Sequence, residues 1–216
     1  MPNLPISLLP DISGSTLGYL SPDAEFAVAQ SGVTYKVKQS ELYQFPNVYG
    51  LFSQTGNSVT ISGTTTETTL IGNGVGTLSV PANGFQVGDS FMVRMMGHIS
   101  SKNNETLVIR VKTDSIVLGD SLTVTLPQTT NKHYTIDINF SIRSIGAAGV
   151  ASVVTGVVFT YSKDASNAFE GTDFTTLNST TFNTTISNTL NITAQWGSTE
   201  AQNSIYSEYF VLNKVY

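Results

Sequence analysis

Apolar and polar residues alternate along most of this chain with a period of two. The longest run is "YTIDINFSIRSI", where Tyr134, Ile136, Ile138, Phe140 and Ile142 share one face and Thr135, Asp137, Asn139, Ser141 and Arg143 the other. That alternation predicts an antiparallel strand buried on one side. "TLVIRVKT" predicts a second strand, with Leu107, Ile109 and Val111 inward and Arg110 and Lys112 outward. "TLNITAQW" predicts a third, aligning Leu190, Ile192, Ala194 and Trp196. Shorter segments of the same kind, such as "DSFMVRMMGHIS", "ASVVTGVVFTYS" and "SEYFVLNKVY", bring the expectation to about eight to ten strands after Asn47. No segment sustains a 3.6-residue period. Short strands punctuated by Gly, Asn and Ser predict an all-β fold, and this many strands suit a jelly-roll-like antiparallel β-sandwich.

The first 46 residues follow a different pattern. Prolines at positions 2, 5 and 10 favour extended backbone. "SPDAEFAVAQ" has two readings, a helix capped by Ser21 with Pro22 at its first position, or a strand through Glu25–Ala29. "SGVTYKVKQSEL" reads as a turn at Ser31-Gly32 and then a strand, in which Val33, Tyr35 and Val37 alternate with Thr34, Lys36 and Lys38. So short an alternation cannot hold a domain together. Pro46 marks the boundary, giving an N-terminal segment of residues 1–46 and a β domain of residues 47–216.

Charge narrows the partners. Charged residues make up 12 % of the chain, about half the usual share, and Thr, Ser and Asn carry the polar surface instead. A net charge of -5 with scattered Lys and Arg lacks the basic footprint of a nucleic-acid binder. With no cysteine there are no disulfides and no thiolate chemistry. The start, "MPNLPISLLPDIS", has neither the basic nor the apolar region of a secretory signal, and no apolar run is long enough to span a bilayer, so no membrane insertion is expected.

Candidate chemistry is sparse. His98 and His133 are the two histidines, and neither sits at metal-ligand spacing, so each reads as a strand surface residue. No GxSxG elbow occurs. "EGTDF" places Glu170 and Asp173 in one expected loop, without the dense Asp/Asn pattern of a calcium site. No catalytic residue, metal or cofactor is therefore expected. Trp196 has two readings, a stacking face for a glycan or an apolar residue of the core or of a subunit interface; its register with Leu190 and Ile192 favours the core. "SIGAAGVAS", with Gly146, Ala147, Ala148 and Gly149, reads as a bend between strands or as a close contact between subunits.

A resemblance adds to this. Leu9, Pro10, Phe26, Val28, Gln30, Gly32, Thr34, Tyr35, Lys36, Val37, Ser40 and Leu42 form a pattern that resembles the N-terminal segment of phage and large-virus structural proteins. In that group the segment docks the protein onto the virion ahead of a β-rich head. "GTLSVPANGFQVGDSF", "IRSIGAAGVAS" and "TTFNTTISNTLNITAQWGS" with "NSIYSEYFVLNKVY" resemble such heads more loosely. The resemblance implies a non-enzymatic virion protein, assembled in the host cytoplasm and held to other capsid or tail proteins through Val33, Tyr35, Lys36, Val37 and Leu42. It further implies a homotrimer, with Gly146–Gly149 and Trp196 as candidate interface residues. No collagen-like or heptad shaft separates anchor from head, which points to a short head fibre, spike or decoration subunit. The alternative is an adhesin module that binds a host-surface glycan.

Overall fold

A computed structural model describes residues 25–30, 33–38, 49–164 and 168–216. It divides the chain into two compact units, residues 1–46 and 47–216.

In the first unit, β1 (Glu25–Gln30) and β2 (Val33–Lys38) pair antiparallel without a break, from Glu25 opposite Lys38 to Gln30 opposite Val33. Of the two readings of "EFAVAQ", the strand is the one adopted. The register sets Phe26 opposite Val37 and Val28 opposite Tyr35.

The second unit is an antiparallel sandwich without a helix among the described residues. In chain order its strands are β3 (Tyr49–Gln54), β4 (Ile61–Ser62), β5 (Thr68–Thr69), β6 (Gly74–Gly76), β7 (Ser79–Val80), β8 (Ser90–Ser101), β9 (Glu105–Thr113), β10 (Ile116–Asp120), β11 (Val124–Leu126), β12 (Thr129–Ser144), β13 (Ser152–Ser162), β14 (Phe169–Asn178), β15 (Asn188–Trp196) and β16 (Ser204–Lys214). The eight-stranded sheet runs β14-β13-β12-β8-β16-β3-β6, with β4 beside β16. The six-stranded sheet runs β10-β9-β15-β5, with β11 beside β9 and β7 beside β15.

The pairings nest. β3 pairs with β16, β5 and β7 with β15, β8 with β12, and β9 with β10 and β11. Successive nested pairs alternate between the sheets, and β16·β8 and β15·β9 contacts complete each one. This is the jelly-roll order. β13 and β14 are an added hairpin between β12 and β15, and they extend the large sheet beyond β12.

The alternating residues decide which face is inside. Phe91, Val93, Met95 and Ile99 of β8 and Ile136, Ile138 and Phe140 of β12 are buried against Leu107, Ile109 and Val111 of β9 and Leu190, Ile192 and Trp196 of β15. Each fully buried side chain of this size contributes about 1.5–3 kcal/mol. Phe85 closes one end, edge-on to Phe91 and Phe182. Beside the added hairpin, Asn178 ties three segments together. Its amide nitrogen donates to Val117 O of β10 at 2.6 Å, and its carbonyl accepts from Thr181 N and Phe182 N at 3.1 Å each.

Candidate functional site

Period-two alternation leaves each sheet one outer face, and the two faces differ in chemistry. On the small sheet, the outward residues of β9 and β15 interlock with acids from their neighbours. Arg110 Nε lies 3.0 Å from Asp120 Oδ2, and Arg110 Nη1 donates to Gln195 Oε1 at 2.8 Å. Glu67 accepts from Lys112 Nζ at 2.9 Å and Thr193 Oγ1 at 2.6 Å. Partial burial pulls the Glu67 carboxyl upward, but the bonds from Thr193 and Lys112 and the charges of Lys112 and Arg110 outweigh it and hold it below the usual carboxylate range. The groups of this network satisfy one another.

The outer face of the large sheet carries few charges. One row across it reads Asp173, Val158, Asp137, Arg94 and Val211, from β14 to β16. Asp137 Oδ1 lies 3.4 Å from Arg94 Nε, and both side chains are largely exposed. Met92 and Met96 flank Arg94 on β8.

His98 and His133 meet on this face. They are direct partners in the β8·β12 ladder, and their ring centroids lie 4.1 Å apart. Tyr206 stacks on His98 at 5.8 Å. His98 Nδ1 lies 3.1 Å from Glu208 Oε2, without the alignment of a hydrogen bond. A bulge in β16 between Ser207 and Tyr209 delivers that carboxylate, because it turns Glu208 and Tyr209 to the same side. Ser58, Gln54 and Gly72 fix the bulge from within. Ser207 N donates to Ser58 Oγ, Ser207 Oγ donates to Gln54 Oε1, and Gly72 N donates to the same Gln54 oxygen. Gly97 faces the bulge, and a Cβ there would lie 2.0 Å from Tyr206 O.

The residues singled out from sequence are dispersed. Val33, Tyr35, Lys36 and Val37 lie on β2, where Lys36 is exposed; Leu42 falls outside the described residues. Gly146–Gly149 form the bend between β12 and β13. Gly146 N donates to Thr184 Oγ1 at 2.8 Å, and Ala147 O accepts from Val150 N and Ala151 N. Ala147, Ala148 and Gly149 are exposed between two exposed apolar residues, Ile145 and Val150. Trp196 is 1 % exposed and donates its indole N–H to Ile61 O at 3.1 Å. Its ring belongs to the core and offers no face to a glycan or a second subunit.

Glu170 and Asp173 do not share a loop. Both lie on β14, and their odd spacing puts them on opposite faces. Glu170 binds Lys163 Nζ and Tyr161 Oη, each at 2.7 Å. Those two bonds dominate its lowered pKa. Asp173 points outward. Among the described residues no group of three His, Cys, Asp or Glu side chains is placed to hold a metal ion.

Shallow grooves notch these faces, two of them of similar size. One, of about 300 Å³, runs along β13 and β14 between Phe169 and Asp173. The other, of about 290 Å³, notches the small sheet where the chain leaves β15 after β5 and returns at β7, with Ile71, Leu78 and Leu190 beneath Thr69, Asn191 and Asp114. Phe169 and Glu208 had no signal as site residues in the sequence, since both depend on which strands pair. No protein-family model and no curated protein matches the chain.

Proposed function

We propose that this chain is a non-enzymatic structural subunit of a virion, a short head fibre, spike or decoration protein that docks through residues 1–46 and displays residues 47–216. The observation that carries the reading is the division of the chain into a small Lys-bearing hairpin and a separate jelly-roll unit. A two-stranded hairpin buries too little to be a domain of its own, which suits a segment that acts by attachment. Among the described residues β1 and β2 pair only with each other, and a strand added from a neighbouring sheet would bind through backbone hydrogen bonds, with alternate side chains setting the register. The head is compatible with the same reading, because on the small sheet Arg110 and Lys112 are engaged by Glu67 and Asp120 while the charges on the broad outer face of the large sheet are scattered. Assembly as a homotrimer with the Gly146–Gly149 bend at the contact, and attachment to capsid or tail proteins, are parts of the proposal.

Deleting residues 1–46 tests it. The remaining head should keep the far-UV spectrum of a β protein and fail to join particles. Normal incorporation of the truncated protein into particles would overturn the reading.

A further inference from the structure

The added β13–β14 hairpin is not required to complete the nested pairs of the jelly roll. It nevertheless presents Phe169, which at 81 % is the most exposed of the large apolar side chains in the described residues. Phe169, Gly171 and Asp173 alternate onto one face of β14, opposite Ser162, Thr160 and Val158 of β13. The shallow groove between them measures about 300 Å³. Gly171 keeps its floor bare. A Cβ there would lie 2.1 Å from Phe159 O, so the strand pairing itself excludes a side chain at that point. Asp173 has no hydrogen-bond or ion-pair partner among the described residues, whereas Glu170 behind it is held by Lys163 and Tyr161.

We propose that this groove binds a neutral oligosaccharide, one pyranose ring lying on Phe169 and the hydroxyls of an adjoining ring donating to Asp173. An exposed phenyl face takes the apolar C–H side of a sugar ring, and an aromatic in contact with an apolar partner contributes beyond the area it covers. An ionised carboxylate only accepts, through two oxygens, so it matches neighbouring hydroxyls, and charge assistance strengthens those bonds. The Thr160 hydroxyl adds a group able to donate or accept. Phe169 and Asp173 are separated by four residues of strand, roughly 13 Å, so the site spans more than a single ring. The free Asp173 carboxylate on this face disfavours an anionic sugar. An apolar protein partner seated on Phe169 would strip water from Asp173 without supplying a donor. The inference stands apart from the docking role of residues 1–46 and can fail or hold without it.

Saturation-transfer NMR on the full chain tests the proposal, using maltotriose, chitotriose, lactose and sialyllactose at millimolar concentration. At least one neutral sugar should receive saturation, strongest at ring C–H protons, and sialyllactose should receive less. Phe169→Ala should weaken binding about tenfold or more and leave the thermal transition unchanged, as expected for so exposed a side chain; Asp173→Ala should weaken it severalfold. The proposal is overturned by an absence of transfer from all four sugars, or by transfer that survives Phe169→Ala. Transfer strongest for sialyllactose would overturn the assignment to neutral sugars.

Discussion

Trp196 and Glu105 lie at the same end of the sandwich and show what single residues contribute. The Trp196 indole fills the core and satisfies the carbonyl of Ile61. Trp196→Phe leaves that carbonyl without its donor and should cost about 1–3 kcal/mol; Trp196→Ala adds a cavity and should cost about 3–5 kcal/mol. Urea unfolding followed by far-UV circular dichroism measures both. Glu105 is buried, which pulls its pKa upward, yet bonds from Ser198 Oγ and Thr106 N–H and the charge of Lys102 outweigh the burial and hold it below the usual carboxylate range. A depressed native pKa means that its contribution is complete above the unfolded value and is lost as pH falls through the lower native one. Stability should therefore decline below about pH 4.5, and Glu105→Gln should make that decline shallower; melting temperatures from pH 7 down to pH 3 report it. The Trp196 environment was legible in the sequence, because its register with Leu190 and Ile192 marks the buried face. The partners of Glu105 were not, because Ser198 reaches it from a loop more than 90 residues away.

At the level of elements, strict alternation reads strand faces well until a bulge shifts its phase. β8 and β9 follow the period-two reading from end to end, and β12 does so over residues 134–142, between its two register shifts. β16 does not. A strict count from Ile205 would bury Tyr209 and expose Phe210, and the bulge after Ser207 reverses both. The Ser58, Gln54 and Ser207 bonds that hold the bulge come from segments far apart in the chain, so no local pattern announces it. Gly97→Ala tests its rigidity. The added methyl has backbone rather than a movable side chain in front of it and should cost about 1–3 kcal/mol in urea unfolding. The same change should disturb the resonances of His98 and Tyr206, whose rings are positioned by this crossing of β8 and β16. The helix reading of "SPDAEFAVAQ" failed for a related reason. A short apolar run carries too little periodicity to separate helix from strand, and the partner strand decided.

For the whole molecule, alternation yielded the sandwich, while the pairing order had to come from the structure. Nothing in the spacing of β8 and β12 tells that His98 and His133 become neighbours, and so the histidine pair of the outer face was invisible as a pair. Residues 47–216 form a compact unit, and their mass in solution by light scattering is the direct test of assembly. A trimer is the expected result, with Ala148→Arg in the exposed bend reducing it to monomers. A monomer at micromolar concentration would remove the trimer from the proposal and leave residues 1–46 as the sole means of attachment.

The nesting that makes the jelly roll also sets the order in which it can be built. β3 is the first strand of the head and finds its main partner in β16, with Phe52 opposite Leu212. During synthesis, the side of Phe52 that meets Phe210 and Leu212 therefore stays uncovered until the ribosome has released residues more than 150 positions later. Contacts so distant in sequence fold on the millisecond-to-second scale in comparable β proteins, and the unpaired edges waiting for them are exposed to other chains. Premature release before β16 leaves a sandwich that lacks the strand joining β8 to β3 in its larger sheet, so only chains translated through β16 can complete that sheet.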